Sequence, residues 1–266
     1  MIDFDRNDTL RHLTHTIRPL SAGLSIVALA LSLTACDGSR RSRPPQDDEA
    51  SSAPYQAEVE EGLGAAVAIL VDTSGSMKNE APGDSRPKAA VAREALEAMF
   101  DATEALVAKR PEFVVKVGIY SFSSDASTVL PMRTFDRAAV RDALARLPRP
   151  GGGTAIGEAM RAARPDLYRA GVFRKYLLVV TDGENTSGRS PDFVAREIFE
   201  KSEHGVQMYF VAFDTGADRF AFLKDVQGDV IGATNGPELR KALDEIYQGR
   251  ILAEASTLGE REPESK

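Results

Sequence analysis

Three nearly continuous apolar runs, each followed closely by an aspartate, constrain the fold of this chain more than any other feature. The runs span residues 65–71, 176–180 and 206–213, and stretches with helical periodicity separate them. A strand that is apolar along its whole length is buried on both faces, and strands that alternate with helices form parallel sheets. The sequence therefore predicts an α/β fold of the doubly wound, Rossmann-like kind. Its central sheet is expected to be mostly parallel, with one short antiparallel edge strand and helices on both faces.

Helical spacing, capping residues and prolines predict the remaining elements. The first long helix is expected from Pro87 to about Lys109, and an edge strand over residues 127–130 that Pro131 closes. A helix after the glycine-rich loop is expected to reach about Arg164. The other expected elements are strands over 114–122 and 229–231, a helix from Asp136 to Leu147, and helices that begin at Pro191, Arg219 and Pro237, the last reaching about Arg250.

Composition excludes some classes of function. The chain has 266 residues, of which 42% are apolar and 27% charged, as in a soluble globular protein. A formal net charge of −7 argues against a general nucleic-acid binder, because neutralising phosphates requires clustered Lys and Arg. The single cysteine excludes an internal disulfide.

The N-terminal region predicts export and lipid anchoring. Residues 20–33 form an apolar run that is too short to span a bilayer but has the length of a secretory signal. Leu33-Thr34-Ala35-Cys36 resembles a bacterial lipobox, which implies a signal peptide over 1–35 and a lipid on Cys36. An ordinary signal peptide, or an uncleaved anchor with a cysteine nearby by chance, is the alternative. The expected location is the periplasmic face of the cell envelope, on the inner membrane if Asp37 acts as a retention signal.

The rest of the chain divides into three parts. Residues 36–62 carry the anchor cysteine and a proline-containing, charged tether without apolar periodicity, which is expected to be disordered. Residues 63–250 are expected to form the folded domain, and residues 251–266 a polar tail.

Oxygen-bearing side chains follow two of the predicted strands. Asp72 ends the first strand, with Ser74 and Ser76 on the turn beyond it, and Asp182 follows the strand over 176–180. Thr154 ends the loop Gly151-Gly152-Gly153 and opens a helix. Ligand sites of open α/β sheets lie at the carboxyl ends of the strands, and hard cations take oxygen ligands. These residues predict a Mg²⁺ site, with Mn²⁺ or Ca²⁺ as alternative ions. Turn formation and helix capping are the alternative roles for the serines and for Asp182.

The segments Asp72-Thr73-Ser74-Gly75-Ser76, Thr154 and Thr181-Asp182-Gly183 together resemble the metal-ion-dependent adhesion site (MIDAS) of the von Willebrand factor type A (VWA) domain family. The resemblance covers about residues 63–250. It implies that the two serines and the threonine coordinate the ion through their hydroxyls, directly or through water. It also implies that the two aspartates act directly or through bridging water. One metal position would stay open for an acidic side chain of a partner protein.

Charged residues beside this motif predict a rim that contacts the partner. Lys78 begins a loop to Arg86 that is longer than the minimal pattern of the family, and Glu184 directly follows Thr181-Asp182-Gly183. Lys78 and Glu184 are therefore candidate partner-binding residues, with an ordinary solvated rim as the alternative.

Catalytic groups are scarce outside the predicted signal peptide. His204 is the one histidine beyond it, and we expect it at a helix end, where its charge compensates the helix dipole. The chain has no G-x-x-x-x-G-K-[ST] phosphate loop. We therefore expect a binding module and no catalytic residue. The alternatives are a hydrolase that uses metal-activated water at Asp72 and Asp182 with Glu184 as base, and a scaffold whose metal site is structural or empty.

Overall fold

A computed structural model describes residues 64–253 of the chain. The predictions for the signal peptide, Cys36, the tether and the tail beyond residue 253 lie outside these residues. Within residues 64–253, no helix combines the length and the apolar character that a membrane span requires.

Strands and helices alternate along the described chain. The strands are Gly64–Asp72 (β1), Val114–Phe122 (β2), Ala126–Thr134 (β3), Arg174–Thr181 (β4), Val206–Phe213 (β5) and Asp229–Ala233 (β6). The α-helices are Lys88–Lys109 (α1), Arg137–Ala145 (α2), Ile156–Tyr168 (α3), Pro191–Lys201 (α4) and Gly236–Ile246 (α5). Two 3-10 segments, Gly75–Lys78 and Ala217–Val226, and a π-helical segment, Tyr247–Leu252, complete the order.

The six strands form one sheet in the order β3-β2-β1-β4-β5-β6. Only the pair β2–β3, at one edge, is antiparallel, and the other neighbouring pairs are parallel. The predicted fold class is therefore confirmed. Because β1 pairs directly with β4, and Val71 lies opposite Val180, Asp72 and Asp182 emerge at the same edge of the sheet.

Each face of the sheet has its own apolar core, as the uninterrupted apolar strands require. Val67, Ile69 and Val71 of β1 point to the face covered by α1, α2, α5 and the π-helical segment. The alternate residues Ala68 and Leu70 point to the face covered by α3, α4 and the 3-10 segment at 217–226. Side chains of a strand alternate between faces, so β1 contributes to both cores.

Two prolines lie inside elements that were expected to end at or before them. The edge strand was expected to stop at Pro131, but β3 continues to Thr134, because the register with β2 shifts around Gly118. Such a bulge at a sheet edge accommodates a residue without an N–H donor.

Helix α3 was expected to reach about Arg164, but it continues through Pro165 to Tyr168. Pro165 is exposed, so water can satisfy the carbonyl of Arg161, while Leu167 remains buried in the core.

Candidate metal centre

Asp72 is the best-anchored residue of the predicted site. It is the last residue of β1 and fully buried. Its Oδ1 accepts a hydrogen bond of 2.7 Å from the backbone N–H of Ser74, and its Oδ2 accepts one of 2.5 Å from the Thr181 hydroxyl on β4. The carboxylate is therefore held between its own turn and the neighbouring strand.

The environment of Asp72 favours a cation nearby. Burial raises the pKa of Asp72 to about 6, and this effect outweighs the hydrogen bonds from Ser74 and Thr181, which lower it. The charge of Asp182 raises the pKa further. A bound cation offsets this cost, because an opposite charge at close range favours the ionised carboxylate.

The two serines join Asp72 to Asp182. The turn after β1 is a 3-10 segment that positions both hydroxyls, with Ser74 Oγ 3.1 Å from Ser76 Oγ. The Ser76 hydroxyl donates a hydrogen bond of 2.7 Å to Asp182 Oδ1. Asp182 itself is 7% exposed, so its carboxylate is also largely withdrawn from water. Four of the predicted ligands therefore lie in one connected cluster.

The glycine loop brings Thr154 to the same edge. The backbone N–H of Gly151 donates to the Thr73 carbonyl at 2.8 Å, and the N–H of Gly75 donates to the Gly152 carbonyl at 3.1 Å. Gly152 has a φ of +79°, and a Cβ there would lie 2.6 Å from Ser124 Oγ, so the loop requires glycine. Thr154 is buried, and within the described residues its hydroxyl forms no hydrogen bond with protein, which leaves the oxygen available for an ion.

The loop after β4 closes the cluster from the other side. The backbone N–H of Thr154 donates to the Thr186 hydroxyl, and its carbonyl accepts from the Thr186 N–H, both at 2.8 Å. Three loops, which follow β1, α2 and β4, therefore meet at the carboxyl edge of the sheet. The five predicted residues come from all three of them.

The donor set suits a hard divalent cation. It consists of carboxylate and hydroxyl oxygens only, the ligands that Mg²⁺ and Ca²⁺ prefer. Residues 64–253 contain no cluster of three or more His, Cys, Asp and Glu side chains that could hold a metal. A cation bound here would therefore take part of its coordination from the hydroxyls, which distinguishes this arrangement from a His- and Cys-based zinc site.

Lys88 is a neighbour of the site that sequence reasoning missed. It is the first residue of α1, and its side chain is 8% exposed. Its Nζ donates to Asp182 Oδ2 at 3.0 Å and pairs with Asp214 Oδ2 at 2.6 Å. Burial by itself lowers the pKa of Lys88, but hydrogen bonds from its ammonium group to the two carboxylates and their negative charges raise it above the usual value. A signal was present, because a lysine in the first turn of a helix opposes the helix dipole.

The predicted rim residues differ in their surroundings. Lys78 is exposed at the end of the 3-10 segment, beside the glycine loop. Glu184 is exposed too, but it is paired with Arg219 from the 3-10 segment at 217–226. Of the two, Lys78 has no ionic partner among the described residues.

His204 lies at the other end of the sheet. It follows the C-terminus of α4, two residues before β5 begins, and its ring stacks on Phe199 at 4.1 Å between centroids. The predicted ligands lie at the carboxyl ends of the strands, whereas His204 lies at the amino end of β5. It therefore has no contact with Asp72 or Asp182.

Residues 67–184 match the model of the von Willebrand factor type A domain. That segment begins inside β1 and ends after Asp182, so it contains each of the five predicted ligands. No significant match was found among curated proteins.

Solved structures share the fold at low identity. BatB from Bacteroides thetaiotaomicron is 23% identical, with 73% of this chain and 100% of that chain covered and a TM-score of 0.57. An aerotolerance-related membrane protein from Bacteroides fragilis is 24% identical, covering 70% and 100%, with a TM-score of 0.54.

A third structure, proximal thread matrix protein 1 from the mussel byssus, has zinc in its MIDAS motif. It is 18% identical to this chain, with a TM-score of 0.53 over 72% of this chain. The match covers 46% of the mussel chain, which is less than half its length. Together, the matched segment and these shared folds support a von Willebrand factor type A domain in this chain.

Proposed function

We propose that this domain binds a protein partner through a Mg²⁺-dependent contact. The observation that carries the proposal is the convergence of Asp72, Ser74, Ser76 and Asp182 in one hydrogen-bonded cluster, with Thr154 on the adjoining loop. These residues would hold the ion through hydroxyl and carboxylate oxygens. The ion would supply a positive charge at the surface, to which an Asp or Glu of the partner binds.

The charge balance of the cluster supports a partner carboxylate. Asp72, Asp182 and Asp214 carry three negative charges and Lys88 one positive charge, so the group carries −2. A divalent cation neutralises it. A partner carboxylate therefore meets no excess negative charge at the site, and its attraction to the ion strengthens as the interface excludes water.

We further propose that the domain is lipid-anchored through Cys36 at the periplasmic face of the cell envelope. The lipobox-like sequence supports this location. The Bacteroides fragilis neighbour is described as a membrane protein, which agrees with it.

Binding, not catalysis, is the proposed activity. His204 lies at the opposite end of the sheet from the metal cluster, so it is not available there as a general base. Glu184, the base of the hydrolase alternative, is engaged by Arg219. A soluble phosphate ester that is turned over by the wild type but not by Asp182→Ala would favour that alternative.

One observation favours a second candidate function, a scaffold without a bound ion. The Lys88 ammonium already compensates Asp182 inside the protein at 3.0 Å. An internal cation of this kind can replace part of the electrostatic role of a metal. In that case the partner would bind elsewhere, and chelation would leave its affinity unchanged.

Thermal unfolding of the chain in EDTA and in millimolar Mg²⁺ tests the metal site. The midpoint of the wild type is expected to rise with Mg²⁺, because a ligand that binds only the native state stabilises it. Ser76→Ala is expected to lose most of that rise. Thr73→Val is the matched control, since the Thr73 hydroxyl donates to the Phe122 carbonyl and is not a predicted ligand.

A pulldown from envelope extract then tests the contact itself. Capture of a partner in Mg²⁺, and its loss both in EDTA and with Ser76→Ala, is the expected result. Equal capture under all conditions would reject the metal-bridged contact and favour the scaffold. No rise in the unfolding midpoint on going from EDTA to Mg²⁺, with capture unaffected by EDTA, would reject the metal site as well.

A further inference from the structure

A groove of about 300 Å³ opens directly beside the metal centre. It lies between the turn after β1, the first turns of α1 and the segment that joins α2 to the glycine loop. Its floor is apolar and consists largely of prolines and small side chains: Pro87, Ala89, Ala90, Leu147, Pro148 and Pro150. Asp72 and Thr73 also line the groove, so it shares one residue with the cluster of predicted ligands.

Three exposed cations surround this floor. Lys78, Arg93 and Arg149 line the groove, and within residues 64–253 none of them pairs with a carboxylate. Arg86, which lies nearby in the chain, does form ion pairs, with Asp84 and Glu94. The buried Asp72 is the one acidic residue in the lining of the groove.

This concentration of unpaired positive charge runs against the composition of the chain. Acidic residues outnumber basic ones by 40 to 33 in the chain, whereas the lining of the groove carries three cations and one buried acid. Rim charges that face a complementary partner raise the association rate and select against wrong partners. The rim is thus complementary to negative charge, and the floor to an apolar side chain.

We propose that the groove receives an acidic, apolar segment of the partner protein, which extends the contact at the metal. The inference rests on the proposed function and names the kind of partner. One carboxylate of the segment binds the metal ion, a neighbouring apolar side chain covers the floor, and a second carboxylate meets Lys78, Arg93 and Arg149. A volume of about 300 Å³ is at the lower limit of small-molecule pockets and suits one or two side chains.

Selection from a random peptide library on the full-length chain in Mg²⁺ tests this inference. The groove variant carries Lys78→Gln, Arg93→Gln and Arg149→Gln, which remove three charges and keep similar side-chain volumes. The matched control carries Lys109→Gln, Arg133→Gln and Lys224→Gln. Those residues are exposed cations that form no ion pair within residues 64–253, and they lie at the amino edge of the sheet. Selected peptides are then measured against all three proteins at low and high salt.

The wild type and the control are expected to select peptides that combine at least two acidic residues with an apolar residue. Their affinity is expected to fall about tenfold in the groove variant and to decrease with salt in the wild type. Selection of peptides that need one acid only, or equal binding to the groove variant, would overturn the inference. A failure to select any acidic peptide would overturn it too, as would binding of phosphatidylglycerol vesicles that the groove variant alone loses.

The thermal response to Mg²⁺ separates this failure from a failure of the proposed function. If Mg²⁺ stabilises the wild type and the groove variant equally, the metal centre is intact and the peptide result bears on the groove alone. If Mg²⁺ stabilises neither, the metal-bridged contact fails first.

Discussion

Lys88 places a buried positive charge between two carboxylates at the edge of the candidate metal centre. Asp182 receives a hydrogen bond from Lys88 on Oδ2 and another from Ser76 on Oδ1, so both oxygens are held in place. The same ammonium group reaches Asp214 just past β5. Lys88 is therefore a positioning residue, and it links the first turn of α1 to the ends of β4 and β5.

Lys88→Met is expected to destabilise the metal-free protein by about 3 kcal/mol, because it leaves Asp182 buried without a cationic partner. Mg²⁺ would compensate that charge, so we expect a larger Mg²⁺-induced gain in stability for this variant than for the wild type. Urea unfolding with and without Mg²⁺ measures both quantities. Lys88→Arg, which keeps the charge, is the control. Equal gains in the wild type and in Lys88→Met would contradict the role assigned to Lys88.

The ionisation of Tyr120 is expected to make the stability of the fold depend on pH in the alkaline range. Its hydroxyl donates to Asp166 Oδ2 at 2.6 Å, and burial together with that bond raises its pKa well above the usual range. In the unfolded chain the same side chain has the ordinary tyrosine pKa of about 10 and ionises near that pH. The contribution of Tyr120 to the free energy of unfolding is therefore complete below pH 10. Above pH 10 it is lost progressively, by about 1.4 kcal/mol per pH unit.

Tyr120→Phe is expected to remove the part of the loss of stability above pH 10 that Tyr120 causes. It also removes a hydrogen bond, so its stability at neutral pH should be lower by about 1 kcal/mol. Urea unfolding of both proteins from pH 8 to pH 11 measures the difference. The two curves should converge as pH rises, and parallel curves would show that the Tyr120 hydroxyl does not stay protonated in the folded state.

At the scale of elements, the site depends on how closely α3 approaches the loop after β4. A Cβ on Gly157, in the first turn of α3, would lie 2.2 Å from the Arg189 carbonyl oxygen. Asn185 holds the same loop through hydrogen bonds of 2.9 Å to the Ser187 carbonyl and 3.2 Å to the Arg189 carbonyl. This loop also carries Thr186, which binds the backbone of Thr154. Glycine at position 157 thus sets the distance between two of the three loops that form the candidate metal centre.

Gly157→Ala is expected to destabilise the domain by about 1–3 kcal/mol, because the loop must move to admit the methyl group. The displaced Thr186 would shift Thr154, so the stabilisation by Mg²⁺ should also decrease. Thermal unfolding with and without Mg²⁺ measures both effects. Gly249→Ala is the control, and it is expected to change stability in the opposite direction. Nothing lies within 4 Å of a Cβ there, and the substitution should stabilise by about 0.4–1 kcal/mol. An unchanged Mg²⁺ response in Gly157→Ala would uncouple the loop from the metal.

At the scale of the whole described domain, β1 connects the two cores. It supplies side chains to both faces, so neither core persists without the strand that the other also needs. Phe100 on α1 and Met160 on α3 are fully buried on opposite faces of the sheet. Loss of packing on either face should therefore weaken one cooperative unit.

Phe100→Ala and Met160→Ala are each expected to cost about 2–5 kcal/mol and to shift a single unfolding transition. The chain contains no tryptophan, so far-ultraviolet circular dichroism and tyrosine fluorescence are suitable probes in urea. The two probes should report the same midpoint in each variant. Separate midpoints would show that the faces of the sheet unfold independently.

The sequence by itself determined the architecture and the order of the site residues, because both depend on local patterns. Apolar runs interrupted by helical stretches require a sheet covered on both faces, and a polar residue that ends such a run lies at the sheet edge. Asp72, Ser74 and Ser76 lie within one turn, so their proximity follows from chain connectivity. The three-dimensional proximity of Asp182 and Thr154 was expected from strand order and loop position, and the structure brings their loops together.

Only the tertiary structure decided the features that depend on contacts between distant segments. The pairing of Lys88 with Asp182 and Asp214 requires three segments far apart in the chain to meet, and no local pattern encodes that meeting. Pro131 and Pro165 remain inside their elements because a sheet edge and an exposed helix face accommodate a missing N–H. The groove of Lys78, Arg93 and Arg149 likewise exists only where α1 packs beside the segment after α2. Each of these features depends on how distant segments pack together, which local propensity does not determine.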